Sequence, residues 1–456
     1  MSGLKKVGMI NLGCPKNQVD AEVMLGRLKA AGYELTPDAE AAEVIVVNTC
    51  GFIGDAREES IDTILEMAEL KKTGQLKKLI ATGCLTQRYG QELGDSIPEL
   101  DAVIGNGAEG GIADILSAVE APGTGQLIQI GAPGGLAGGA DRLRIGAPHT
   151  AYIKIAEGCS KRCSFCIIPH LRGDLSSRPL EEIEAEARGL VAQGVVEINL
   201  ISQDTTNYGV DRYQKKMLAE LVRRLSAVDG LKWLRLLYTY PTDYTDELLD
   251  ALAESPVAVP YIDLPLQHAS TSVLERMNRR GSTGRLVELV TKIRARIPGV
   301  ALRSSFIVGF PGETEAEFQA LYDFVADTRF DRLGVFTYSH EEGTPAGELA
   351  DDVQEALKEE RRDALMALQA DISAEKLAAL VGKTVPVLVD GLSEESDLLI
   401  AGRLPGQAPE IDGVVYIADT GERELTPGEI VQITITEAHD YDLVGHLAGV
   451  TPESTA

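Results

Sequence analysis

The sequence predicts an α/β multidomain protein with an N-terminal parallel α/β sandwich, a central partial or complete (β/α) barrel and a small C-terminal all-β barrel. Two series of short apolar strands alternate with helical patterns, one over residues 1–120 and one from residue 151 onward. After residue 384 the helical patterns stop, and short strands follow one another with turns between them. Alternation of strands and helices predicts parallel sheets covered by helices, whereas a run of short strands predicts a sandwich or barrel.

The first domain, residues 1–120, contains strands and helices in strict alternation. Gly32 and Gly74 end the first two helical patterns, as expected for residues that follow a helix. Residues 121–148 are rich in glycine and predict a linker. The predicted elements are, in order, KKVGMINLG, DAEVMLGRLKAAG, EVIVVNTCG, AREESIDTILEMAELKKTG, KKLIATGC, LTQRYGQELGDSIPEL and DAVIGNG.

The second domain, residues 149–383, repeats this alternation six times. In its first helix, RPLEEIEAEARGLVAQG, the apolar residues Ile183, Ala187 and Leu190 recur at helical spacing. Six β/α units predict a parallel barrel whose working end is formed by the carboxyl ends of its strands. The predicted strands are TAYIKIAEG, VVEINLISQ, LKWLRLLYTY, VPYIDLPLQ, VALRSSFIVGF and RLGVFTYS.

A long charged helix, EALKEERRDALMALQADISAEKLAALVG, follows the last of these strands. Residues 384–456 then contain the short strand candidates VPVLVDG, LLIAGRL, GVVYIAD and EIVQITITEA. This pattern predicts a small β-barrel of about five strands.

Length and composition indicate a protein of about three domains. The chain has 456 residues and a formal net charge of −27. Its apolar runs are far shorter than the roughly 20 residues of a membrane span, and the N-terminus has no signal-peptide pattern. We therefore expect a cytoplasmic protein that does not contact membrane and keeps its thiols reduced.

The six cysteines carry most of the functional information. Disulfides suit short secreted chains, so metal binding is the favoured interpretation. Cys159, Cys163 and Cys166 have the spacing C-x3-C-x2-C and follow the first strand of the second domain. A structural zinc site would need a fourth ligand, for which His170 is available. A 4Fe–4S cluster held by three thiolates would instead leave one iron open to another ligand.

Cys14, Cys50 and Cys84 are far apart in sequence, but each directly follows a predicted strand. Because the carboxyl ends of parallel strands lie at one edge of a sheet, we expect these three thiols to converge. The alternative is that these cysteines are buried as small apolar side chains. This explains one cysteine at a strand end better than it explains three in succession.

The C-x3-C-x2-C loop resembles the signature of the radical S-adenosylmethionine enzymes. The resemblance implies that S-adenosylmethionine binds the open iron and is cleaved to a 5′-deoxyadenosyl radical. It also implies contacts to this molecule from Phe165, Gln203, Arg303 and Gly309, the last within the segment IVGFPGET. The first domain, with its own three cysteines, and a terminal TRAM-type barrel extend the resemblance to the methylthiotransferases over nearly the whole chain.

Methylthiotransferases of this kind hold two 4Fe–4S clusters. The resemblance implies an auxiliary cluster on Cys14, Cys50 and Cys84 and a radical S-adenosylmethionine cluster on Cys159, Cys163 and Cys166. We assign no catalytic residue beyond these ligands. The family's chemistry requires an electron donor and a sulfur donor, and it inserts sulfur at an unactivated carbon.

Within the family the chain resembles the branch that modifies an aspartate of the small-subunit ribosomal protein S-twelve. The main sign is the run Cys14-Pro15-Lys16-Asn17, where the branch acting on transfer RNA adenosine usually has a Gln-Met-Asn type of run. Ala21 is one departure from the pattern of the branch, in which serine is common at this position. The stretches that carry the resemblance are GCPKNQVDAE, NTCGFIGDAREESIDTI, GCLTQRY, DLPLQHAS, YSHEEGTPA and APEIDGVVYI.

The charge of the last domain favours a protein substrate. Residues 384–456 hold fourteen acidic residues but only two basic ones, Arg403 and Arg423. Such a surface repels phosphate and attracts a basic ribosomal protein or the small ribosomal subunit, although it also serves solubility alone. The alternatives are a transfer RNA methylthiotransferase with the same chemistry, which this charge disfavours, and a non-catalytic iron–sulfur electron carrier or ribosome assembly factor.

Overall fold

The computed structural model describes residues 5–107, 109–121, 123–134, 139, 142–393, 396 and 399–450. Seven residues of the predicted glycine-rich linker, 122, 135–138 and 140–141, lie outside the described residues. The same holds for four of the fourteen acidic residues counted in the last domain, namely Glu394, Glu395, Asp397 and Glu453.

The N-terminal domain is a parallel sheet with helices on both faces, as predicted. Its six strands lie in the order β2-β1-β3-β4-β5-β6 and all pair in parallel. Two apolar clusters cover the two faces of the sheet. The elements are β1 (Lys6–Asn11), α1 (Pro15–Ala30), β2 (Glu34–Leu35), β3 (Val44–Thr49), α2 (Gly54–Thr73), β4 (Lys78–Gly83), α3 (Cys84–Ser96), β5 (Ala102–Ile104), α4 (Ile112–Glu120) and β6 (Leu127–Gln129).

Two details of this domain differ from the prediction. The sheet continues beyond residue 120, because β6 pairs with β5 inside the segment 121–148 that was predicted to be a linker. Its short apolar run is half-buried against the sheet, although glycines surround it. Helix α1 begins at Pro15, five residues before the predicted start, since proline is well suited to the first helical position.

The central domain is a partial barrel. Strands β7, β10 and β11 form one parallel sheet and β12, β13 and β14 another, and a parallel bridge between Leu234 and Ala258 links the two. Among the described residues no pairing joins β7 to β14, so the barrel stays open on that side. The elements are β7 (Thr150–Lys154), β8 (Ala156–Glu157), α5 (Ile168–Arg172), β9 (Ser176–Ser177), α6 (Leu180–Ala192), β10 (Glu197–Ile201), α7 (Val210–Tyr213), α8 (Leu218–Ser226), β11 (Trp233–Leu236), α9 (Asp246–Glu254), β12 (Tyr261–Asp263), α10 (Thr271–Arg276), α11 (Thr283–Arg296), β13 (Ala301–Val308), α12 (Glu315–Thr328) and β14 (Arg332–Thr337).

The C-terminal domain is a closed five-stranded barrel with the order β15-β16-β17-β19-β18, as predicted. The long helix α13 leads into it, and its residue Leu377 is buried in the apolar core of the barrel. The elements are α13 (Glu355–Ala378), β15 (Thr384–Leu392), β16 (Ile400–Arg403), β17 (Val415–Asp419), β18 (Ile430–Ala438) and β19 (Leu443–Leu447).

The three domains meet in one apolar cluster. Val19 of α1, Trp233 and Tyr261 of the central strands, and Leu388 and Ala408 of the terminal barrel belong to it. Burial of a shared cluster favours a fixed arrangement of the domains.

Within the described ranges, no helix has both the length and the apolar character needed to cross a bilayer.

Candidate functional site

The structure brings Cys14, Cys50 and Cys84 together at one edge of the N-terminal sheet. Cys14 is the residue before α1, Cys50 follows β3, and Cys84 is the first residue of α3. A Cβ placed on Gly13 would lie 3.2 Å from the Cys50 sulfur, so the two turns touch. The Cys84 sulfur lies 4.0 Å from the Asn17 side-chain oxygen, in the first turn of α1. We call these three cysteines the auxiliary triad.

Two buried cations, Lys16 and Arg172, lie beside Cys14, and Arg172 also acts on Cys50 and Cys84. Burial raises the pKa of the Cys14 thiol, but Lys16 and Arg172 outweigh this effect and hold the pKa below its ordinary value. Burial raises the pKa of Cys50 to about 11 and also raises the pKa of Cys84. Only at Cys14, therefore, does the fixed positive charge prevail over burial and favour the thiolate.

Cys159, Cys163 and Cys166, here the loop triad, lie between β8 and α5 at the carboxyl end of the first barrel strand. The loop is closed by hydrogen bonds from the Cys159 amide to the Gly173 carbonyl, 3.0 Å, and from the Cys166 amide to the Cys163 carbonyl, 3.1 Å. Burial raises the pKa of Cys159 to about 11 and that of Cys166 to about 12.

Gly158 fixes the entry to this loop. Its φ of +73° is unfavourable for other residues, and a Cβ at this position would lie 2.2 Å from the Asp174 carbonyl oxygen. On the opposite side, buried Arg279 places Nη1 3.6 Å from the Cys163 sulfur. This triad too faces a buried cation.

All six cysteines are free thiols, so the disulfide alternative has no support. In the part of the chain that the structure describes, no group of three or more His, Cys, Asp or Glu side chains is arranged around a single ion. His170, the fourth ligand of the zinc alternative, is exposed on α5. The zinc alternative is therefore not supported. An iron–sulfur cluster places each thiolate on a different iron, so its ligands surround a volume and need not converge on a point. Six thiols beside buried cations fit such an anionic group.

The two triads are separated by a thin apolar layer. Cys84 packs in one buried cluster with Ile167 and Leu171, and Ile167 directly follows Cys166. Asn106 donates a hydrogen bond to the Leu171 carbonyl at 3.0 Å and lies 3.7 Å from the Cys84 sulfur. The auxiliary triad thus faces the loop triad across the domain interface.

A buried network of charges also crosses this interface, and sequence reasoning did not find it. Arg172 donates to Asp20 at 2.7 Å and to Glu157 at 3.3 Å, and Lys154 donates to the same two carboxylates. All four side chains are at most 4% exposed. The signal was present in the strand TAYIKIAEG, where a lysine and a glutamate interrupt an apolar run.

Gln203 belongs to the same network, because its Nε2 donates to Glu157 at 2.7 Å. Its side-chain oxygen is buried and has no hydrogen-bond partner among the described residues, which leaves an acceptor available to a ligand. Gln203 thereby connects the end of β10 with the interface between the triads.

Phe165 and Gly309 converge on one side of the loop triad. Phe165 packs against a cluster that contains Phe310, the residue after Gly309. Gly309 has a φ of +71°, and its amide donates to buried Glu313 at 3.0 Å. Glu313 is held in turn by Arg361 at 2.8 Å. The strand end that contains both glycine and glutamate is therefore rigid.

Arg303 is placed differently. It lies near the start of β13, donates to Asp263 at 2.9 Å and approaches Asp412 of the terminal barrel at 3.8 Å. Among the described residues no recorded contact joins it to the loop triad. The roles assigned to Phe165, Gln203, Arg303 and Gly309 from the resemblance stay predictions.

Three family models match the chain. They are the uncharacterized protein family UPF0004 over residues 6–105, the radical SAM superfamily over residues 153–325 and the TRAM domain over residues 381–447. These models correspond to the domains that carry the auxiliary triad, the loop triad and the terminal barrel.

Curated relatives match over nearly the full length. A protein of Anaeromyxobacter sp. (strain K) is 50% identical over 99% of this chain and 95% of its own length. One from Geobacter sulfurreducens is 50% identical over 98% and 100%, and one from Myxococcus xanthus is 49% identical over 97% and 92%. Each is named ribosomal protein uS12 methylthiotransferase RimO.

Solved structures share the fold. The radical S-adenosylmethionine methyltransferase TsrM from Kitasatospora setae matches with a TM-score of 0.56, at 15% identity, over 75% of this chain and 77% of that one. The cobalamin-dependent S-adenosylmethionine radical enzyme OxsB matches with a TM-score of 0.51, at 13% identity, over 82% of this chain and 56% of that one.

Proposed function

The chain belongs to the RimO family of ribosomal protein uS12 methylthiotransferases, and from this premise we propose that it attaches a methylthio group to an aspartate of uS12, the small-subunit protein S-twelve. The observation that carries the proposal is the pair of cysteine triads facing each other across the domain interface. It is a radical S-adenosylmethionine enzyme, and its loop triad is suited to one 4Fe–4S cluster.

The second cluster belongs to the proposal. The auxiliary triad supports it with three thiols at one sheet edge and with the buried cations Lys16 and Arg172 beside them. An anionic cluster would offset charges that are costly to bury alone. When bound, the clusters and S-adenosylmethionine supply the radical chemistry and the methylthio group, and the protein supplies orientation and a dry site.

The chain's own residues prepare the site for S-adenosylmethionine. We infer that the vacant acceptor of Gln203 receives a hydrogen bond from the ammonium group of this molecule. Phe165 and the rigid Gly309 strand end form an apolar wall for its adenine. Arg303 is held by Asp263 and approaches Asp412 of the terminal barrel, so it offers a fixed positive charge on β13.

The terminal barrel is suited to a basic protein. Of its two basic residues, Arg403 is buried against Glu197 and Asp390, and Arg423 is paired with Glu429 at 2.9 Å. Exposed carboxylates that form no ion pair with described residues remain on its surface. They are Glu410, Glu422, Glu424 and Asp440. We propose that this surface attracts uS12 and repels transfer RNA.

Two further partners follow from the chemistry. Cleavage of a sulfonium by a single electron requires a one-electron donor, and each turnover consumes a sulfur atom that a sulfur donor must replace. Both are proposed partners of the chain.

The proposal is tested by supplying the anaerobically reconstituted protein with S-adenosylmethionine, a chemical reductant, sulfide and either uS12 or transfer RNA. We expect the methylthio group on an aspartate of uS12, with a rate that falls as salt rises. Modification of transfer RNA adenosine with uS12 unmodified would contradict it. Binding of about eight irons is expected for two clusters, whereas four would remove the auxiliary cluster from the proposal.

A further inference from the structure

Lys16 is a buried cation without a carboxylate partner. Its side chain is 7% exposed, and its ammonium nitrogen lies 3.3 Å from the centre of the Tyr238 ring. Among the described residues it has no hydrogen bond to an acceptor and no ion pair within 4.0 Å. An ammonium on an aromatic face keeps its other side free for an anion.

The other buried lysines of the described chain are different. Lys154 is paired with Asp20 and Glu157, and Lys358 with Asp351 at 2.7 Å. The carboxylates that influence Lys16 from a longer distance are engaged elsewhere. Asp263 accepts from Arg303 and from the Tyr238 amide at 2.7 Å, and Glu157 accepts from Arg172, Lys154 and Gln203. Among the described residues, these carboxylates are therefore not free to pair with Lys16.

The backbone around Lys16 is fixed. It is the second residue of α1, between Pro15 and Asn17. The buried Asn17 amide donates to the Leu12 carbonyl at 2.9 Å and to the Thr49 carbonyl at 3.0 Å, and its oxygen accepts from Arg172. The backbone of Lys16 is thus held two residues from Cys14.

We propose that the Lys16 ammonium binds the side-chain carboxylate of the aspartate that the enzyme modifies. This inference rests on the proposed function and deepens it, because it assigns the residue that selects an acidic substrate. A carboxylate held here would place the adjacent carbon beside the auxiliary triad, where sulfur is delivered. An adenine base carries no anion to pair with this ammonium, so the same position would be costly for a nucleoside substrate.

A different role for Lys16 would be to neutralise the Cys14 thiolate alone. Such a role predicts loss of the auxiliary cluster in variants without the charge, and no influence on which substrate side chain is preferred. The two roles are separated by measuring preference as well as activity.

The experiment uses the full-length, reconstituted protein and two peptides of the modified uS12 loop, one with the aspartate and one with asparagine in its place. The enzyme without substitutions should bind the aspartate peptide about tenfold to a hundredfold more tightly than the asparagine peptide. Lys16→Met should lower this ratio to near unity, and Lys16→Arg should keep most of it, because the positive charge remains. Lys29→Met, at an exposed position of the same helix, is the matched control and should keep the full ratio.

Iron content and the visible spectrum are measured on every variant. An intact second cluster together with a lost aspartate preference supports the proposal. An unchanged ratio in Lys16→Met, or loss of the auxiliary cluster with the ratio retained, would overturn it. If the unmodified protein never methylthiolates uS12, the proposed function itself fails, and this result is seen before any variant is made.

Discussion

Replacing Arg403 by methionine should release the terminal barrel from the rest of the molecule. Arg403 makes paired hydrogen bonds to Glu197, at 2.7 and 3.2 Å, and to Asp390, both at 2.8 Å. Arg235 is the other arginine on Glu197. Two carboxylates and two guanidinium groups thus balance in a buried site between the barrel and β10.

The expected loss of stability in Arg403→Met follows from the charges that remain. Without Arg403, Glu197 keeps Arg235, and Asp390 keeps the His149 imidazole, whose Nε2 lies 2.8 Å away. Removal of one member of a buried ion pair costs about 3 to 5 kcal/mol. Asp390 keeps 25% of its side chain exposed, so water offsets part of this loss. We therefore expect about 3 kcal/mol. Arg423→Met is the matched control, because this arginine is 53% exposed and its pair with Glu429 should contribute less than about 1 kcal/mol.

The single tryptophan provides the assay. Trp233 is 6% exposed and packs with Leu388 and Ala408 of the barrel, so its fluorescence reports separation of the two domains. Urea titrations of each variant give the free energy of this transition. The double variant with Glu197→Gln should lose less stability than the two single changes together, since it restores charge balance.

Equal stability of the Arg403→Met and Arg423→Met variants would refute this reasoning. So would strict additivity of the Arg403 and Glu197 changes, since that would mean the two residues do not interact.

Three further predictions concern the cysteine triads, their support and the effect of pH. Alanine at all three positions of the loop triad should leave one cluster and abolish cleavage of S-adenosylmethionine. The same change in the auxiliary triad should leave this cleavage intact and stop methylthio transfer. Iron analysis and product assays distinguish these outcomes, and loss of both clusters from either variant would contradict them. Gly158→Ala should lose the loop-triad cluster, because residue 158 has a positive φ and its new Cβ would clash with the Asp174 carbonyl oxygen. The control Gly189→Ala, in an open position of helix α6, should stabilise the fold by up to about 1 kcal/mol. Equal iron content in both variants would be inconsistent with this clash. Burial raises the pKa of Glu197, but Arg403 and Arg235 hold this pKa below the ordinary 4.5. The contribution of ionised Glu197 to stability is therefore complete above pH 4.5 and is lost as the pH falls further. The free energy of the Trp233 transition should fall in acid, and Glu197→Gln should flatten this dependence, whereas an identical pH profile of the variant would exclude Glu197 as its source.

The domain architecture was predictable because the apolar pattern repeats locally. Strands such as VIVVNT and ALRSSFIV are marked by their own residues, and the parallel order explains why three distant cysteines meet. Strand β6 was not predictable, since three residues between glycine-rich turns carry too little pattern and are defined only by pairing with β5.

The site was predictable at its ligands but not in the environment around them. Spacing reveals Cys159, Cys163 and Cys166, but the network of Asp20, Lys154, Glu157 and Arg172 joins residues up to 152 positions apart. Charges that pair only after two domains dock leave no periodic pattern in sequence. The unpartnered state of Lys16 could be recognised only once every neighbouring carboxylate had been assigned.

The mass of uS12 isolated from cells with and without the gene tests the central claim most directly. We predict that one aspartate of uS12 carries a methylthio group in place of a hydrogen only when the gene is present, and that the modification returns when the intact gene is restored but not when either cysteine triad is replaced by alanine. An unchanged mass of uS12, together with a methylthio group on transfer RNA adenosine that depends on the gene, would contradict the account.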